Sequence, residues 1–144
     1  MSEEIIKASH VAYDIHYHIV FPVKYRKVLL LHEITNEIKN ISYEITQRYS
    51  AVFERIGCDL NHIHLLVSLH PKYGPGQFVR IFKSITAREL FIKFPKLKKE
   101  LWGGEFWTDG YFVSTIGTGG NWEVVEQYIK NQGHTIESVQ LRLL

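Results

Sequence analysis

The feature that most constrains this chain is the order in which its hydrophobic periods change. Period-two segments rich in β-branched and aromatic residues alternate with period-3.6 segments. "HVAYDIHYHIVFPVKY" (10 to 25) reads as a long first strand, with Pro22 marking a rim or edge where it ends. "LLHEITNEIKNISYEITQRY" (30 to 49) repeats Ile34, Ile38, Ile41 and Ile45 at helical spacing with charges between them, an amphipathic helix. Residues 51 to 57 and 62 to 69 read as two strands, with a turn from Gly57 to Asn61. After the loop "PKYGPG" (71 to 76), residues 77 to 94 predict a second helix that Pro95 ends. Phe78, Phe82 and Ile85 share its core face, while Arg80, Lys83, Ser84 and Arg88 fall on another. "EFWTDGYFVSTIG" (105 to 117) is a last strand with a bulge or kink at Asp109-Gly110. A glycine-rich joint (117 to 120) then leads to a helix over 121 to 132, with Asn121 as its N-cap.

This order predicts an α+β fold, a ferredoxin-like βαββαβ sandwich with an antiparallel sheet, helices on one face, and a C-terminal helix. The 144 residues suffice for one domain with its own core, residues 1 to 8 reading as a loose tail. In this topology the first and third strands are central neighbours. Two His-x-His pairs, His16/His18 in "DIHYHIVF" and His62/His64 in "DLNHIHLLVSLH", therefore fall on adjacent strands.

Composition narrows the function classes. The single cysteine, Cys58, excludes an internal disulfide framework and a multi-cysteine zinc site, and a reducing compartment is the simplest setting. No charged-then-apolar leader and no apolar run near ~20 residues occurs, so a cytoplasmic protein is expected. The net charge is only +2, but it is unevenly spread. Eight Lys and Arg against the single acid Glu89 give residues 72 to 99 a local +7, leaving −5 for the rest. Such a block is the electrostatic footprint of a polyanion partner, or a solvated helix face.

Alternate residues of a strand share a face, so His62 and His64 converge on one side. Two imidazoles there can reach one cation, or can simply be packed and hydrogen-bonded, and the pattern alone does not choose. Nearby acids are few: Asp59, and Glu54 further back. A third histidine two residues on would extend the motif, but that position is Leu66. In the C-terminal helix, Tyr128 and Gln132 stand four apart on one face, at the margin of a Trp122, Val125, Ile129 stripe.

Taken together, "YHIVFPVKYR", "NHIHLLVS", "KSITARE", "FWTDGYFVSTIG" and "VEQYIKNQ" resemble the TnpA-type single-strand DNA transposases of small insertion sequences, the one-tyrosine class of the HUH superfamily. The likeness runs in order from about residue 10 to residue 134. It implies that His62, His64 and Gln132 bind Mg²⁺ or Mn²⁺ and that Tyr128 is the nucleophile, forming a 5′-phosphotyrosine. It implies a homodimer with shared active sites, acting in a prokaryotic cytoplasm on single-stranded DNA with imperfect hairpins, without membrane or nucleotide cofactor. Lys24, Tyr25, Arg26, Lys27, Arg80, Lys83 and Arg88 then become candidates for DNA binding, and Tyr25, Trp102, Trp107 and Tyr111 for base stacking or core packing. His16 and His18 read as structural, or as residues that support the ligand pair from behind. The alternatives are a domesticated hairpin-DNA nuclease or binder, and a non-catalytic ferredoxin-like RNA-binding domain.

Overall fold

The structure, a computed structural model, describes residues 5–8 and 10–115. Four antiparallel strands form the main sheet in the order β4-β5-β3-β6: β3 (His16–Pro22), β4 (Ala51–Asp59), β5 (His62–Leu69) and β6 (Phe112–Thr115). Between them run α1 (His32–Tyr49) and α2 (Pro75–Lys93), which gives the expected βαββαβ order with β3 and β5 central. A small separate sheet pairs β1 (Ile6–Ala8) with β2 (Val11–Tyr13).

Strand alternation sorts the central residues into two faces. Ile19, Phe21, Ile63, Leu65 and Val67 join one core with Ile34, Ile38, Ile41 and Ile45 of α1 and Phe78 and Phe82 of α2. The isoleucine stripe read as a helix face is thus the face buried against the sheet. The register pairs His16 with Ser68, His18 with Leu66, Val20 with His64, and Pro22 with His62. Cross-strand partners share a side, so all four histidines lie on the sheet face away from α1 and α2.

Several boundaries differ from the sequence reading. Residues 6 to 8 pair as a strand instead of trailing as a tail. The long first strand breaks after Tyr13 and resumes at His16, then ends at Pro22 as its missing donor requires. Gly57 is not in the turn: β4 continues to Asp59, and Leu60–Asn61 alone close the hairpin, Leu60 adopting φ 55°. Pairing with β5 holds residues 57 to 59 extended, overriding the local turn signal of glycine. Beyond Pro95 a short α3 (Lys96–Glu100) forms. The last strand starts only at Phe112, because residues 105 to 111 cross the end of β3: Lys24 donates to the Phe106 carbonyl, and Gly110 turns the chain at φ 88°. The joint at 117 to 120 and the helix at 121 to 132 lie outside the described residues.

Candidate metal centre and nucleic-acid interface

His62 and His64 stand where β5 leaves its hairpin, their rings stacked with centroids 5.6 Å apart and planes 29° apart. Asn61 Oδ1 lies 2.9 Å from His62 Nδ1, so that nitrogen donates and Nε2 keeps its lone pair. Nε2 is buried with no hydrogen-bond partner among the described residues. Asp59 Oδ2 approaches it only to 3.6 Å. A bare, buried imidazole nitrogen whose tautomer is set from behind is the arrangement a metal ligand requires.

Burial biases both rings toward the neutral form. Burial lowers the pKa of His62, opposed by the Asp59 charge and assisted by His64. Burial likewise lowers that of His64, opposed by Asp59 and assisted by Arg55. Gly57 pairs with His64 across the strands, and a Cβ there would stand 3.3 Å from His64 Cδ2 and 3.4 Å from Nε2. The imidazole therefore lies over bare backbone, the close approach that a strand glycine permits. Sequence reading missed this, since it placed Gly57 in a turn. Two neutral nitrogens fit a divalent transition-type cation better than a hard oxygen-seeking one. Among the described residues no group of three or more His, Cys, Asp or Glu is arranged to hold a metal ion. Tyr128 and Gln132 lie outside the described residues.

His16 and His18 share this face but differ in setting. His18 sits diagonally from His64, and burial, the charge of His64 and that of Arg55 lower its pKa. His16, at the far end of β3, lies between Glu54, bonded to Nδ1, and Asp14, 2.5 Å from Nε2. Burial works against its charge, but hydrogen bonds to the two carboxylates and their charges outweigh that, and its pKa is raised. Its stabilisation is therefore complete below the ordinary value of 6.5 and falls away as pH rises through the raised folded value. Glu54→Gln is expected to cost about 1–3 kcal/mol at pH 6 and clearly less at pH 9, read from denaturant unfolding. Equal losses at both pH values would make the contact one of packing alone.

The basic candidates separate into distinct places. Lys24–Arg26 form a 3-10 turn just beyond Pro22, the partner of His62. Tyr25 and Arg26 both have positive φ, 59° and 48°. Tyr25 meets Trp102 edge to face at 4.9 Å, and Lys27 Nζ lies 5.0 Å from the Trp102 ring centre. Both rings are largely exposed, at 57% and 71%. Trp107 instead belongs to the core, donating to Thr86 Oγ1 at 2.8 Å, and Tyr111 lies against Gly76.

Arg80, Ser84 and Arg88 line a groove of about 330 Å³ between the helices. Arg48, from the end of α1, completes it, a residue sequence reading missed because it lies some thirty positions earlier. Lys83 departs from the expected stripe: its ammonium donates to the carbonyls of Thr108 and Gly110, each at 2.8 Å, and lies 4.9 Å from the Phe21 ring centre. Burial lowers its pKa, opposed by Asp109 and Glu105. Lys83 thus clasps the loop before β6 instead of facing solvent with Arg80 and Arg88.

Fold and site together define a ferredoxin-like protein with a His-hydrophobe-His strand whose histidines lie on the sheet face away from α1 and α2. The model of the IS200-like transposases matches residues 11–132, and the chain belongs to that family. It is 30% identical over 129 residues to the ISDra2 transposase TnpA of Deinococcus radiodurans, spanning 90% of this chain and 91% of that one. It is also 30% identical over 124 residues to the transposase for insertion sequence element IS200 of Salmonella typhimurium, spanning 86% and 80%. A crystal structure of a candidate transposase from Deinococcus radiodurans superposes with a TM-score of 0.77 at 30% identity, covering 88% of this chain and 97% of that chain. The fold also recurs, at 11% identity and a TM-score of 0.52, in a REP-associated tyrosine transposase bound to a REP hairpin, covering 93% and 73%. No helix among the described residues is long and apolar enough to cross a membrane.

Proposed function

We propose that this chain cleaves and rejoins single-stranded DNA at hairpin-marked ends of an insertion sequence through a 5′-phosphotyrosine on Tyr128. The observation that carries the reading is the buried Nε2 of His62, without a hydrogen-bond partner among the described residues, with its tautomer set by Asn61 and its ring stacked beside His64. His62, His64 and Gln132 would hold Mg²⁺ or Mn²⁺, the imidazoles favouring Mn²⁺. Bound there, a divalent cation would neutralise phosphate charge and ease departure of the 3′ oxygen. The Tyr128 oxygen loses its proton and bonds to phosphorus while the P–O3′ bond breaks, and the 3′ oxygen takes up a proton. One phosphodiester becomes one phosphotyrosine, so rejoining needs no ATP. We further infer a homodimer in which the tyrosine helix of each protomer completes the site of the other. A single 17 kDa species in light scattering would remove that feature.

The positively charged periphery supports a polyanion substrate. The Arg48, Arg80, Arg88 groove suits a phosphate backbone, and the Lys24–Lys27 turn with Trp102 suits unpaired bases. The test is incubation with labelled hairpin-bearing single-stranded DNA and Mn²⁺ or Mg²⁺, followed by a denaturing gel. A metal-dependent covalent adduct is expected, and a protein that only binds RNA or DNA gives none. Gly57→Val, which pushes a side chain into the His64 ring, is expected to slow adduct formation about 10- to 100-fold. Gly57→Ala should be milder, and an unchanged rate in both would show that the ring position is not critical.

A further inference from the structure

The register shift in β4 has a consequence for the site. Phe53 pairs with Val67 and faces the helices, its ring 5.8 Å from Phe78 and 5.9 Å from Phe82. Strict alternation from Phe53 would put Glu54 opposite Leu66 and turn Arg55 under the helices. Instead the register shifts between Phe53 and Arg55, so Arg55 pairs with Leu66 and Gly57 with His64. One extra residue thus moves both onto the histidine face and leaves Glu54 to reach His16.

Arg55 then stands diagonally from His64, a cross-strand separation that an arginine side chain easily spans. It is exposed, and among the described residues no hydrogen bond or ion pair engages its guanidinium. Its sequence neighbour Glu54 is bonded to His16, and Asp59, on the same face, pairs with His62 two rows away. An arginine side chain is always charged, and its guanidinium fork matches two oxygens of one phosphate.

We propose that Arg55 is a catalytic residue that binds the non-bridging oxygens of the phosphate attacked by Tyr128, a contact delivered by the bulge of β4. This rests on the transposase reading above. In single-turnover reactions of the full chain with Mn²⁺, Arg55→Ala is expected to slow adduct formation about 100-fold or more. Its affinity for the hairpin should stay within about threefold, since the rest of the cationic surface remains. Arg55→Lys should recover part of the rate, because a point charge lacks the fork. A binding cycle isolates the contact: a neutral methylphosphonate at the scissile position should weaken binding to the parent protein by the same factor that Arg55→Ala costs, about two- to threefold, and to Arg55→Ala hardly at all. An unchanged adduct rate, or equal methylphosphonate losses in both proteins, overturns the proposal. If the parent protein forms no adduct, the transposase reading fails, yet the binding cycle needs no cleavage and still decides whether Arg55 holds that phosphate.

Discussion

Tyr128→Phe is expected to abolish covalent capture of DNA, with a loss of about 10³-fold or more. The substitution removes one oxygen and leaves the ring, so packing and hairpin affinity should hardly change. A phenol with pKa near ~10 is a weak nucleophile at neutral pH, and no water-derived nucleophile yields a protein-linked product. The gel assay therefore reads chemistry apart from binding: hairpin retained in anisotropy, adduct absent on the denaturing gel. An adduct of parental intensity would transfer the role to another hydroxyl.

The second large effect concerns the histidine pair. His62→Ala and His64→Ala would each remove one of the two proposed nitrogen donors, and each is expected to lower the adduct rate by about 10³-fold. Asn61→Ala should act through His62, freeing its tautomer and weakening Mn²⁺ binding about 10-fold. Both pair members have lowered pKa values, burial being the main cause. Neutral ligands are needed for metal binding, so the acid-side loss of Mn²⁺ affinity should fall at lower pH than the ordinary histidine value of 6.5 would give. A loss centred above 6.5 would contradict the lowered values. His16→Ala, at the other end of β3, should leave Mn²⁺ binding intact and alter only stability.

The two His-x-His pairs show how far local pattern reaches. Both place alternate residues on one face, and the structure puts them on the same face of adjacent strands. What separates them is their surroundings: His16 is claimed by Asp14 and Glu54, while His62 Nε2 has no hydrogen-bond partner among the described residues. Tyr25 and Trp102 likewise read as two unrelated aromatics until the fold brings their rings to 4.9 Å. Lys83 reads as one more cation of a basic block, yet packs as a loop clasp.

The sequence by itself determined the order of strands and helices and the core stripe of Ile34, Ile38, Ile41 and Ile45. Periodicity is a property of neighbouring residues, and burial follows it directly. It also supplied the motifs that mark the family. Only the tertiary structure decided what surrounds the histidines. A bulge in β4 exists only relative to β5, and that pairing put Gly57 under His64 and Arg55 beside it. Register is a relation between strands, set by packing across the sheet, and no single stretch of chain contains it.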